Sequence, residues 1–129
     1  MKPELMLLLW AVALTVVQML IAVSGATLQV GLPKLAGNRD NMPALTGWVG
    51  RADRAHHNML ENLVLFAALV LLVFATGKSN STTVLGAQLF FWSRLGYAVV
   101  YLIGIPWLRT GLWFVSIVGL LLIFLQLAH

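Results

Sequence analysis

"GRADRAHHNMLENLVLF", residues 50–66, sets two arginines, an aspartate, two histidines, two asparagines and a glutamate at the head of an apolar run. The rest of the chain is poor in such groups. Of its 129 residues 60% are hydrophobic and 9% charged, with a mean hydropathy of +0.92. Soluble domains are about a quarter charged, so this balance predicts an integral membrane protein. The length allows a single domain, residues 1–129, without a separate soluble module. A net charge of +4, scattered along the chain, forms no basic stripe, which argues against nucleic acid as a partner. Without cysteine, disulfides, thiolate metal sites and a cysteine nucleophile are excluded, so any thiol chemistry must use a thiol carried by a ligand.

A bilayer core of about 30 Å takes about 20 helical residues. Counting outward from the charge-free runs predicts an all-α bundle of four transmembrane helices, over residues 5–27, 54–76, 83–105 and 110–128. The first apolar stretch is longer than a signal-peptide core of about 7–15 residues, so it reads as a span. The second run, from Asn62 to Gly77, is too short to cross alone and must take in Glu61. The third, between "GKSNSTT" and Pro106, places Arg94 near its middle. An ionisable side chain at that depth costs at least about 2.5–3.5 kcal/mol, so it faces the bundle interior and finds a partner. The simplest expectation is a buried Glu61–Arg94 ion pair.

Four spans put both termini on one side. The opposite side, with the 31–52 loop and the Pro106–Arg109 turn, carries Lys34, Arg39, Arg51, Arg54 and Arg109, against Lys2 and Lys78 at the termini. The positive-inside rule places the richer side in the cytoplasm. Trp48, Trp107 and Trp113 are expected as an interfacial belt there, and Trp92 as packing. The loop is long enough to suggest an ordered, irregular cap.

At about 100° per residue, Arg51, Arg54, Asn58 and Glu61 fall on one helical stripe, with Asp53 and His56 outside it. Arg94, Tyr97 and Tyr101 share a face of the third span, with Arg109 beyond its end. Two phenols and a guanidinium on one face suit a polar ligand held against an apolar wall. Polar residues in membrane helices also serve simply to join helices, at about 0.6 kcal/mol each. Four on one stripe exceed that need. His57 and Glu61 have metal-ligand spacing but lack a third ligand, so no metal is expected.

The string Arg51-x-x-Arg54-Ala55-His56-x-Asn58-x-x-Glu61-Asn62, with Arg94-x-x-Tyr97-x-x-x-Tyr101 followed by Pro106 and Arg109, resembles the MAPEG family, the membrane-associated proteins in eicosanoid and glutathione metabolism. The resemblance covers nearly the whole chain. It implies a homotrimer of four-helix subunits, sited in a bacterial inner membrane, with glutathione as co-substrate in pockets between protomers and lipophilic substrates arriving from membrane lipid. By position, Arg51, Arg54, Asn58, Glu61, Arg94, Tyr97 and Tyr101 would line the glutathione site, and Arg109 would stabilise the thiolate. Gly50 and Lys34 stand where an acidic residue and an arginine are expected in many members. The resemblance thus implies a glutathione transferase or peroxidase, with a non-enzymatic lipid-binding scaffold of the same fold as the alternative. A small proton-coupled transporter using Glu61 is a third class.

Overall fold

Proline and glycine set most of the helix ends. The computed structural model describes residues 2–40 and 42–129, which form five helices. These are α1 (Pro3–Val30), α2 (Leu32–Ala36), α3 (Gly47–Thr76), α4 (Ser81–Ile103) and α5 (Pro106–Ala128). Pro3, Pro33 and Pro106 lie in first turns, where the missing N–H is not needed. Gly77 and Gly104 end α3 and α4 with φ of 66° and 92°, a backbone conformation that disfavours a Cβ. Asn80 starts α4 with a capping box. Its side chain accepts from the Thr82 and Thr83 amides, both at 2.9 Å, and Thr83 Oγ1 accepts from the Asn80 amide.

The all-helical architecture is as expected, with altered boundaries. α3 begins at Gly47, seven residues before the expected span of 54–76, so Arg51 too sits inside a 30-residue helix. Nothing between Gly47 and Arg54 breaks a helix once Thr46 has turned the chain in. The cap loop is ordered by a reciprocal pair: Gln29 Nε2 donates to Thr46 O at 2.9 Å, and Thr46 N donates to Gln29 Oε1 at 3.1 Å. It also contains the single-turn α2.

α1, α3 and α5 are each long and apolar enough to cross a bilayer, which fits an integral membrane protein. α4 is not in that apolar set, because Gln88, Ser93, Arg94, Tyr97 and Tyr101 interrupt it. Its 23 residues span roughly 34 Å.

Short links make α3, α4 and α5 sequential neighbours. α1 packs against α3 and α4, α5 packs against the same two, and α1 and α5 are not neighbours among the described residues. The core runs through Met59, Phe66 and Val70 of α3, Ala87 and Phe90 of α4, and Ile123 of α5. Phe66 and Phe90 stack with centroids 4.2 Å apart. The α4–α5 contact is backbone on backbone: a Cβ on Gly86 would lie 2.6 Å from Gly119 O. Most outward side chains are large and apolar, as lipid-facing positions require.

The end of the bundle carrying the two termini is closed by side chains. Glu4, only 1% exposed, accepts from Ser79 Oγ at 2.5 Å and Thr83 Oγ1 at 2.8 Å. Lys78 Nζ donates to the carbonyls of Leu127 and His129, satisfying acceptors at the α5 terminus.

Trp92 departs from expectation. It is 59% exposed rather than packed inside, and its indole N–H donates to Gln88 Oε1 at 2.8 Å, one turn back on α4. A local partner lets the indole face lipid without an unpaired donor. Trp48 and Trp107 are exposed near the arginine-rich end, whereas Trp113 is half-buried against the cavity described next.

Candidate functional site

Where α3, α4 and α5 meet near the arginine-rich end, the sequence motifs converge on one cluster. Arg94 on α4 is 1% exposed, and its Nη2 donates to Asn58 Oδ1 on α3 at 2.7 Å. Asn62, one turn further along α3, donates Nδ2 to Asn58 O at 2.8 Å and to Oδ1 at 3.2 Å. The Arg94 guanidinium carbon lies 4.2 Å from the centre of the Tyr97 ring. Tyr97 meets Tyr101 edge to face, with centroids 5.5 Å apart. Arg109, at the start of α5, sits 4.4 Å above the Tyr101 ring, and Arg54 Nε donates to the Tyr101 hydroxyl at 3.2 Å. Stacking on aromatic faces holds guanidinium groups without neutralising them.

A cavity of about 240 Å³ opens beside this cluster, lined by Asn58, Tyr97, Arg109, Thr110 and Trp113. Its electrostatics are one-signed. Three arginines converge without a carboxylate. The ion-pair geometry among the described residues, His57 Nε2 to Asp53 Oδ1 at 3.3 Å, lies elsewhere on α3. Arg94 Nε and Nη1 are buried without hydrogen-bond partners. A buried guanidinium with two unused donors and no counter-charge brings an unbalanced positive charge into this part of the bundle.

The expected Glu61–Arg94 ion pair is absent, and Glu61 is exposed on the surface of the single chain. The span-length argument fixed how deep Glu61 lies but not which way it faces, and the shorter Asn58 amide, one turn nearer the mouth, takes the guanidinium. Arg51 also leaves the stripe. Its Nε donates to Leu102 O at 3.0 Å, and the side chain lies against Gly104, so it caps α4 from α3. The structure therefore brings together Arg54, Asn58, Arg94, Tyr97, Tyr101 and Arg109 and leaves Arg51 and Glu61 to either side.

Thr110 and Trp113 line the cavity without having been singled out for it. Trp113 stands one helical turn after Arg109, a spacing that places both on the same face of α5. Asp53, His56 and His57 line a different cavity, of about 430 Å³, walled also by α1 and the α2 loop.

An all-helical membrane protein, then, carries a cationic, tyrosine-walled cavity near one end of its bundle. The chain belongs to the MAPEG family: the family's sequence profile matches residues 5–129. It is similar to microsomal glutathione S-transferase 1 of Sus scrofa, 39% identical over 66 residues that cover 51% of this chain and 43% of that protein. The Bos taurus protein of the same name is 40% identical over 58 residues, 45% of this chain and 37% of the relative. The Homo sapiens protein is 38% identical over 58 residues, with the same two shares. The matched stretch thus spans less than half the length of these curated relatives. No solved structure matches the chain.

Proposed function

We propose that the protein is a membrane-embedded, glutathione-dependent transferase or peroxidase that acts on lipophilic electrophiles. The observation that carries this reading is the unneutralised set of Arg54, Arg94 and Arg109 around the Tyr97–Tyr101 pair, with Asn58, Tyr97 and Arg109 on the cavity wall. Glutathione is a net anion with two carboxylates and a thiol, and guanidinium forks bind carboxylates in pairs of hydrogen bonds. The names of the similar proteins point the same way.

The roles divide by position. Arg54 and Arg94, with the Asn58 amide, hold the charged groups of the tripeptide, and the tyrosine rings form the wall. Arg109, at the α5 end of the cavity, faces the thiol. A free thiol has a pKa of about 8.5, and lowering it by one or two units takes roughly 1.4–2.8 kcal/mol of preference for the thiolate. One guanidinium in a water-poor site supplies that. The thiolate sulfur then attacks an electrophilic carbon, forming a thioether as the leaving group departs. With a hydroperoxide, two glutathione molecules are instead oxidised to their disulfide, while the peroxide becomes an alcohol and water.

The reading extends to assembly and topology. The cavity is open on its outer side, and Glu61 is exposed on α3, as a homotrimer with sites between protomers would use them. α4 crosses the membrane as the fourth span. The 31–52 loop faces the cytoplasm of a bacterial inner membrane, and both termini lie on the other side. Bilayer lipid delivers the substrate.

The test is a glutathione titration of detergent-solubilised protein, followed by ultraviolet thiolate absorbance. Absorbance should grow with bound glutathione in the wild type and be lost in Arg109→Ala. No binding at millimolar glutathione would overturn the enzyme reading in favour of a lipid-binding scaffold.

A further inference from the structure

Helix α4 ends on a carbonyl that its own backbone cannot serve. In a continuing helix Leu102 O would accept from the amide of residue 106, and residue 106 is proline, which has no N–H. The amides of Gly104 and Ile105 both turn back to Val100 O, at 2.9 and 3.3 Å. The missing donor comes from α3, where Arg51 Nε reaches Leu102 O at 3.0 Å. Its Nε, Cδ and Cζ lie 3.5, 3.6 and 3.7 Å from where a Cβ on Gly104 would stand, so the side chain covers the left-handed turn residue. A cation at the carboxyl end of a helix also meets its negative pole.

This tie adjoins the arginine–tyrosine cluster. About one turn further along α3, Arg54 Nε donates to the Tyr101 hydroxyl at 3.2 Å. α3 thus holds the Tyr101 side chain with one arginine and the next backbone unit with another. Beyond Gly104, α5 starts at Pro106, and the Arg109 amide closes its first turn on Ile105 O at 3.3 Å. The place of the α4–α5 turn therefore sets where Arg109 stands against Tyr101, whose ring centre is 4.4 Å from its guanidinium carbon. Among the described residues, no other side-chain hydrogen bond reaches residues 102–109 from another helix.

We propose that Arg51 is a positioning residue: by donating to Leu102 O it fixes the α4–α5 turn, and so holds Arg109 against Tyr101 where the thiol is ionised. Arg51 acts through the turn, without touching glutathione. The inference rests on the role proposed for Arg109, but the link from Arg51 to Arg109 can be read without any ligand. The role requires the hydrogen bond and not the positive charge. Glutamine separates the two, because its amide nitrogen stands the same number of bonds from Cα as arginine Nε.

The chain carries two tyrosines, so fluorotyrosine labelling of the detergent-solubilised protein gives two fluorine resonances, and Tyr101→Phe identifies one of them. Without glutathione, Arg51→Met should move the Tyr101 resonance toward its position in Arg109→Ala and leave that of Tyr97 nearly in place. Arg51→Gln should restore the wild-type position. With glutathione bound, Arg51→Met should raise the thiol titration by about half to one pH unit, with affinity within about twofold of wild type. Arg51→Gln should titrate as the wild type does. Arg51→Leu takes the place of the methionine variant should that one not fold.

An unmoved Tyr101 resonance in Arg51→Met would overturn the proposal, as would a glutamine variant that behaves like the methionine one. Equal movement of both resonances would reduce Arg51 to a helix cap and overturn it too. Weakened glutathione binding with unaltered thiol ionisation would overturn it in favour of direct ligand contact. Failure of the wild type to bind glutathione would instead strike the proposed function, and with it the thiol half of this inference. The fluorine resonances would still decide the link between Arg51 and Arg109.

Discussion

The Arg109 guanidinium carbon lies 4.4 Å from the centre of the Tyr101 ring, across the turn that joins α4 to α5. The same phenol accepts a hydrogen bond from Arg54 Nε on α3. One tyrosine thus fixes two arginines from two other helices, and its two parts can be separated by mutation.

Tyr101→Phe removes the acceptor for Arg54 and keeps the ring under Arg109. Under the proposed function, KM for glutathione should rise several-fold with kcat nearly unchanged, since ground-state binding is lost while the thiolate contact remains. An equal fall in kcat and kcat/KM, measured with an excess of electrophile, would contradict this division of roles.

Under the same proposed function, Arg109→Ala should move the thiol titration of bound glutathione upward by one to two pH units, roughly an eight- to 25-fold loss of thiolate at neutral pH. The sign follows from the charge. A cation favours the thiolate, so the wild type ionises at lower pH and the variant needs a more alkaline solution to reach the same absorbance. Arg109→Lys should fall between the two.

Asn58→Leu strands the Arg94 guanidinium, whose one side-chain hydrogen bond is to Asn58 Oδ1. Losing a hydrogen bond to a buried charge should cost about 1.5–3 kcal/mol, read as a lowered thermal midpoint of the solubilised protein. Asn58→Asp keeps an acceptor and should unfold close to the wild type.

Gly86→Ala and Gly119→Ala each place a Cβ within 2.6 Å of a backbone oxygen across the α4–α5 contact. Overpacking of this kind should cost about 1–3 kcal/mol. Gly111→Ala, with nothing within 4 Å of the added atom, is the control and should unfold near the wild type.

Spacing alone placed Arg94, Tyr97 and Tyr101 on one face, because helical phase survives whatever the helix packs against. Asp53 and His56 likewise fell outside the stripe, and they line another cavity. Helical phase does not say which neighbour a face meets. Glu61 shares the stripe of Asn58, yet Arg94 is met by Asn58 and not by the glutamate. Arg51 was legible as polar and near the mouth, but its destination, the Leu102 carbonyl, depends on where α4 ends. Arg109 lies beyond the Gly104 turn, so periodicity could not relate it to Tyr101. Trp92 was misjudged because depth was taken for burial, and a bilayer offers apolar surroundings on the outside as well.

The Gly86–Gly119 contact has a consequence for how the protein tolerates change. It lies away from the arginines, yet it sets the lateral offset between the helix that carries Tyr101 and the one that carries Arg109. A methyl group added there works like a shim between two plates, opening a gap at their far edge. Under the proposed function, variants altered at these glycines would look catalytically impaired in a screen while every polar side chain of the cluster was still in place.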